Sequence, residues 1–193
     1  MTVFHFVRHA AHDLIGRVLA GRKVDVGLNA EGRRQAEMMA QQLAVKPVRQ
    51  VISSPRLRAR QTAEPIAAAH GVSISIAPQI DEHDAGLWQG QEFETLKRDP
   101  HWRLWNEKRA ETRPPDGESM RELQTRVVSY LDRLAAQYPR ETIVLVSHAE
   151  PIRAALLHER GIPLTDWMQV DVPLASVVTV TRVSAPSPAA EPA

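Results

Sequence analysis

The opening stretch MTVFHFVRHAAHDLIG places His5, His9 and His12 within eight residues, with Arg8 beside the middle histidine. Imidazoles at that density suit two kinds of chemistry. They can ligate zinc, or one of them can attack phosphorus if one ring nitrogen is bare and the other is held by a hydrogen bond. A zinc site would draw on His5, His9 and His12 with Asp13 or His148. On a strand that runs on into a loop, His5 and His12 do not converge on one ion. Arg8 and Arg58 would also be repelled by a dication, so the metal reading leaves both unexplained.

Further along the chain lie Arg58, the acidic run Asp81, Glu82, His83 and Asp84, and His148. Two arginines favour a phosphate or carboxylate, because the planar guanidinium pairs with such oxygens in two-pronged fashion. Phosphoryl transfer asks mainly for positioning and charge neutralisation, which two histidines and two arginines can supply without a metal or cofactor. The leaving oxygen needs a proton, and Glu82 can give it if burial keeps its carboxyl protonated near neutral pH.

Those residues are far apart in sequence, so the fold must gather them. Five short, largely apolar and β-branched runs read as strands, at 3–7, 50–53, 73–77, 142–146 and 176–183. Helical patterns lie between them. Asn29 caps a helix to about Val45, Ser54-Pro55 supplies a cap and first-turn proline for a helix to about His70, and Pro151 opens a helix ending near Gly161. Ser119-x-x-Glu122 is a capping box for a helix that buries Leu123, Val127, Leu131, Leu134 and Tyr138. Alternating strands and helices imply an α/β fold, a three-layer sandwich around a mostly parallel sheet. Ligands bind such sheets beyond the carboxyl ends of their strands. The first strand runs into Arg8-His9, the second into Ser53-Ser54 and a helix start carrying Arg58, and the fourth into Ser147-His148. Two helix N-termini, each favouring an anion, would face the same rim. Residues 92–113, rich in tryptophan, read as a helical insertion near that rim.

Composition narrows the partners. The 193 residues, 43% hydrophobic, suit one domain over 1–183, followed by a Pro/Ala-rich tail at 184–193 expected to be disordered. A net charge of +1 gives no bulk grip on nucleic acid or an anionic membrane. The absence of cysteine removes disulfides, thiolate metal sites and cysteine nucleophiles. No apolar run could span a bilayer, and VFHFV is too short for a signal sequence, so a cytoplasmic protein is expected.

Five separated motifs, collinear from about residue 3 to 183, resemble the histidine phosphatase superfamily in its phosphoglycerate-mutase-like branch. The first joins Arg8-His9-Ala10 to Gly21 and to Asp25-x-x-Leu28-Asn29-x-x-Gly32-x-x-Gln35-Ala36. The others are SSPRLRARQTA, EHDAGLWQG, GES and VLVSHAEPIRAAL. The resemblance implies a phosphoglycerate-mutase-like fold and a metal-independent phosphomonoester hydrolase without cofactor, acting on a small phosphorylated substrate. It implies that His9 attacks phosphorus, that Arg8, Arg58 and His148 hold the phosphoryl oxygens, and that Glu82 protonates the leaving oxygen. Glu150, two residues after His148, is the second choice of acid, because another branch places its acid nearby.

The family's residues after the nucleophile are replaced by Ala10, Ala11 and His12, its asparagine by Ile15, and its glycine after the second histidine by Ala149. These departures alter the rim of the pocket, where His12, Gly21 and Ala149 are the possible substrate contacts. A phosphoglycerate-mutase-type transferase is the alternative, disfavoured because the stretch from Glu82 to His148 is short. A non-catalytic phospholigand-binding module is the alternative of another class, disfavoured by the intact set Arg8, His9, Arg58, Glu82 and His148. His5 reads as packing, Arg56 and Arg60 as solvated, and the four tryptophans as core or rim packing, with Trp88 in the acid loop the most suggestive. The ester itself and the oligomeric state stay open at this level.

Overall fold

A computed structural model describes residues 1–183; the expected disordered tail lies outside the described residues. Five strands form one sheet: β1 (Thr2–Arg8), β2 (Val48–Ser53), β3 (Ile74–Ile76), β4 (Thr142–Ser147) and β5 (Val177–Arg182), in the order β3-β2-β4-β1-β5. All neighbours pair in parallel except β1 and β5, which run antiparallel along the edge.

Side chains alternate across the sheet and build two cores. Phe4 and Phe6 of β1 and Ile143 and Leu145 of β4 face α5 (Met120–Gln137) and α6 (Ala149–Glu159). Val7, Val144 and Val146 face α1 (Ala30–Leu43) and α2 (Leu57–His70). The expected three layers are therefore present. The insertion forms α3 (Phe93–Leu96) and α4 (Pro100–Glu107) over the first core, where Trp88, Trp102 and Trp105 pack edge to face. Trp88 is a core residue whose Nε1 donates to Asp99 at 3.0 Å.

Two helix starts differ from the sequence reading. The N-cap of α2 is Arg56, not Ser54. Its first turn is capped from a distant loop instead, the Leu57 N–H donating to Asp25 at 2.9 Å, which leaves the Ser54 hydroxyl for other partners. The last helix opens at Ala149 with His148 as N-cap, so Pro151 sits inside its first turn, where its missing N–H costs nothing. Elsewhere the caps are those expected: Asn29 accepts from the Gly32 N–H at 2.8 Å, and Ser119 and Glu122 close the full capping box. Tyr138 is the C-cap of α5, outside its buried stripe.

The helix after β1 lies on one face of the sheet and the helix after β4 on the other. Adjacent parallel strands whose connections diverge in this way leave a crevice between their carboxyl ends. His9 and His148 stand at that crevice.

Candidate functional site

His9 follows the last residue of β1 and is almost fully buried. Its Nδ1 lies 2.9 Å from the Ala10 carbonyl oxygen. A carbonyl can only accept, so Nδ1 carries the proton and Nε2 is left with its lone pair. Burial, then the charges of Arg58 and Arg8 together with His12, hold this imidazole well below its ordinary pKa, which keeps it neutral. The loop that carries it is pinned by three side chains: Thr62 accepts from the Ala10 N–H and Gln35 from the Ala11 N–H, each at 3.0 Å, and Asn29 binds Asp13. Gly32 is required for that pinning, because a Cβ there would stand 2.0 Å from the Ala11 oxygen.

His148 meets His9 edge-on, with ring centroids 5.1 Å apart, and is fully buried. Arg58, 1% exposed, reaches in from the first turn of α2 and is steadied by one bond, from Nη2 to the Gly21 carbonyl at 2.8 Å. Arg8 is anchored through Nη1 on the Val172 carbonyl at 2.6 Å. Nε of Arg8, Nε and Nη1 of Arg58 and Nδ1 of His148 are buried and have no hydrogen-bond partner among the described residues. Unpaired buried guanidinium N–H groups are costly unless an acceptor completes them, and the imidazole nitrogen beside them likewise lacks a partner. Together with the start of α6 they make a cradle for a compact anion.

Glu82 accepts from the His83 N–H through Oε1 at 2.8 Å, and its Oε2 lies 3.7 Å from Nδ1 of His148. Burial raises its pKa against the pull of Arg58. With Oε1 accepting, the acid proton belongs on Oε2, the oxygen that faces the cradle. Glu150 differs. Burial pushes its carboxyl up, but Arg109 at 2.8 Å and Arg153 outweigh that and hold it down to about 2. It is ionised at neutral pH, the wrong form for a proton donor, and this corrects its standing as second-choice acid.

The remaining candidates fall into place around these groups. His12 stacks on His9 with centroids 5.4 Å apart, and burial with Arg58 and Arg8 lowers its pKa to about 4, so it is a neutral wall beside His9. Gly21 and Ala149 line a cavity of about 350 Å³ with Arg8, Glu82, Trp105 and Glu150. His5 is packed against β5, its Nδ1 2.9 Å from the Thr179 hydroxyl, away from the cluster. Among the described residues no metal-type side chains are grouped so as to hold an ion. Arg60 is exposed as expected, but Arg56 is not solvated: its Nε lies 3.1 Å from Asp81. Sequence reasoning passed over Ser54, Asp81 and Arg109. Ser54 read as a cap, Asp81 as one of the acidic run and Arg109 only as part of the 92–113 insertion, because only the fold shows what they touch.

The sequence profile of the histidine phosphatase superfamily (branch 1) matches residues 4–185. Phosphoserine phosphatase 1 of Hydrogenobacter thermophilus is 31% identical over 165 residues, covering 83% of this chain and 77% of the relative. A probable phosphoglycerate mutase of Proteus mirabilis is 31% identical over 168 residues, covering 84% and 77%. Among solved structures, the native mycobacterial glucosyl-3-phosphoglycerate phosphatase superposes with a TM-score of 0.83 at 26% identity, covering 92% of this chain and 88% of that one. No helix among the described residues is long and apolar enough to cross a membrane.

Proposed function

The chain belongs to the histidine phosphatase superfamily as a metal-independent phosphatase of small phosphorylated metabolites, and on that premise we propose that it hydrolyses them through a covalent phosphohistidine at His9. The observation that carries this reading is the pairing of a bare His9 Nε2 with the unpartnered guanidinium donors of Arg8 and Arg58 and the unpartnered Nδ1 of His148. The Nε2 lone pair forms the N–P bond while the P–O bond to the alcohol breaks. Arg8, Arg58 and His148 take the charge on the non-bridging oxygens. Glu82 gives its Oε2 proton to the departing alcohol oxygen and becomes a carboxylate. That carboxylate then takes a proton from water as the water attacks phosphorus, releasing phosphate and restoring neutral Glu82.

Hydrolysis is favoured over mutase chemistry by the cavity next to the cradle. Glu150 there is an ionised carboxylate, and Arg109, which could have gripped a substrate carboxylate, is spent on it. The substrate is a small phosphorylated metabolite, neither nucleic acid nor lipid surface, met in the cytoplasm. Acid-stable trapping does not apply to phosphohistidine, so the test is an alkaline quench during turnover of labelled ester. Label retained on wild type and absent from His9→Ala is expected; label absent from both, or full turnover by His9→Ala, overturns the mechanism.

A further inference from the structure

Ser54 and Asp81 stand behind His148 in a line that the phosphoryl-transfer steps do not use. The His148 Nε2 lies 2.7 Å from the Ser54 hydroxyl oxygen, and Ser54 Oγ lies 3.0 Å from Asp81 Oδ1. All three are buried. Asp81 is held in turn by the Arg56 guanidinium at 3.1 Å and by the Glu82 N–H at 2.8 Å.

A hydroxyl has one proton to give. The Asp81 carboxylate, facing Arg56 and the Glu82 N–H, can only accept, so the serine proton goes to it. The serine oxygen can then only accept: weakly from the Arg56 N–H at 3.4 Å, and at 2.7 Å from His148 Nε2, which must therefore carry the ring proton. In a neutral ring that leaves Nδ1 bare, and Nδ1 is the atom that faces the cradle, 3.7 Å from Glu82.

We propose that Ser54 and Asp81 are positioning residues for the phosphohistidine reaction, fixing the proton of His148 on Nε2 so that Nδ1 takes up a further proton when a phosphoryl group enters and donates it to a non-bridging oxygen. This rests on the phosphatase reading above. Asp81, whose Oδ1 lies 3.8 Å from Nε2, supports the imidazolium that results both across the Ser54 hydroxyl and by its charge. The groups that face His148 from every packed element are Arg8 at the end of β1 and His9 after it, Arg56 at the cap and Arg58 in the first turn of α2, and Asp81 and Glu82 of the acid loop. Burial and these cations keep the ring neutral until the anion arrives. Asp81 adjoins Glu82, so one loop sets both the acid and the second histidine.

Nitrogen-resolved NMR of the labelled protein reads the tautomer without any turnover. Wild type is expected to show neutral His148 with its proton on Nε2, becoming doubly protonated on addition of inorganic phosphate. Ser54→Ala is expected to lose that preference, and Ser54→Thr, which keeps the hydroxyl, to retain it. In kinetics, Ser54→Ala and Asp81→Asn should each lower kcat about 10- to 100-fold, the range of a buried hydrogen bond to a charged group. The double variant should fall no further than the worse single one, because both act through one line. Proton on Nδ1 in wild type, no protonation with phosphate, or additive losses would overturn the proposal. Failure of the phosphohistidine reading shows instead as full turnover by His9→Ala, which leaves the tautomer result standing.

Discussion

Arg109 lies between two indole rings, 4.2 Å from the centroid of Trp105 and 3.6 Å from that of Trp167, and from there places its Nη1 2.8 Å from Glu150. The two aromatic faces fix the cation, and the cation fixes the ionised state of the carboxylate. Two acids lining one cavity are thus set apart, Glu82 raised by burial and Glu150 lowered by its partners. That separation is what general acid chemistry requires.

Glu82→Gln should therefore slow esters with poor leaving groups about 100-fold or more, while nitrophenyl esters, which need little protonation, lose far less. Glu82 is active below its raised pKa, so the rate with poor leaving groups falls as pH rises through that value, and the variant lacks this limb. Glu150→Gln should leave the dependence on leaving group unchanged. A steepened dependence in Glu150→Gln and none in Glu82→Gln would reverse the assignment.

Arg58, 1% exposed, has two donors without a hydrogen-bond partner among the described residues. Arg58→Ala should weaken competitive inhibition by inorganic phosphate about 10- to 100-fold, the worth of a charge-assisted pair. Arg58→Lys should recover only part of it, because one ammonium cannot reproduce the fork. Inhibition constants measured on the three proteins decide it, and equal constants would place the anion elsewhere.

His5, His9, His12, His83 and His148 all have lowered pKa values, each first through burial. The unfolded chain binds protons at these rings from about pH 6.5 downward while the folded chain does not. Stability should fall as pH drops below that point, by up to about 1.4 kcal/mol per pH unit for each ring. Glu82 opposes this weakly, since its raised pKa favours the folded state at acid pH. Urea midpoints at about pH 7 and about pH 5 should show the loss; equal midpoints would mean the rings are not held neutral.

Ser119 closes the α5 capping box with Glu122 away from the cradle. Ser119→Ala should cost about 1 kcal/mol of stability, read as a lowered thermal midpoint. kcat/KM should not move, and a fall in it would mean that α5 positions the site more directly.

Much of this protein was legible in its sequence. Strand runs of period two and short apolar blocks are local signals, and they placed all five strands to within a few residues. Asn29 and the Ser119–Glu122 pair marked helix starts because a cap bonds its own next turn. That Arg8, His9, Arg58, Glu82 and His148 lie along one rim was legible because they sit at a strand end, in a helix's first turn or on the loop beyond a strand, and parallel strands deliver their carboxyl ends to one rim. The errors came where a nearby partner lost to a distant one. Ser54 had a helix to cap but bonds His148 and Asp81, and Arg56 had solvent to face but pairs with Asp81. Glu150 stood second as acid by resemblance to another branch, and only the packing of Arg109 and Arg153 around it shows a carboxyl lowered to about 2. Sequence determines which groups are available and which element carries each, since those follow from local propensity and pattern. Protonation state, tautomer and partner depend on burial and on charges brought from elsewhere in the chain, and these exist only once the sheet has closed around them.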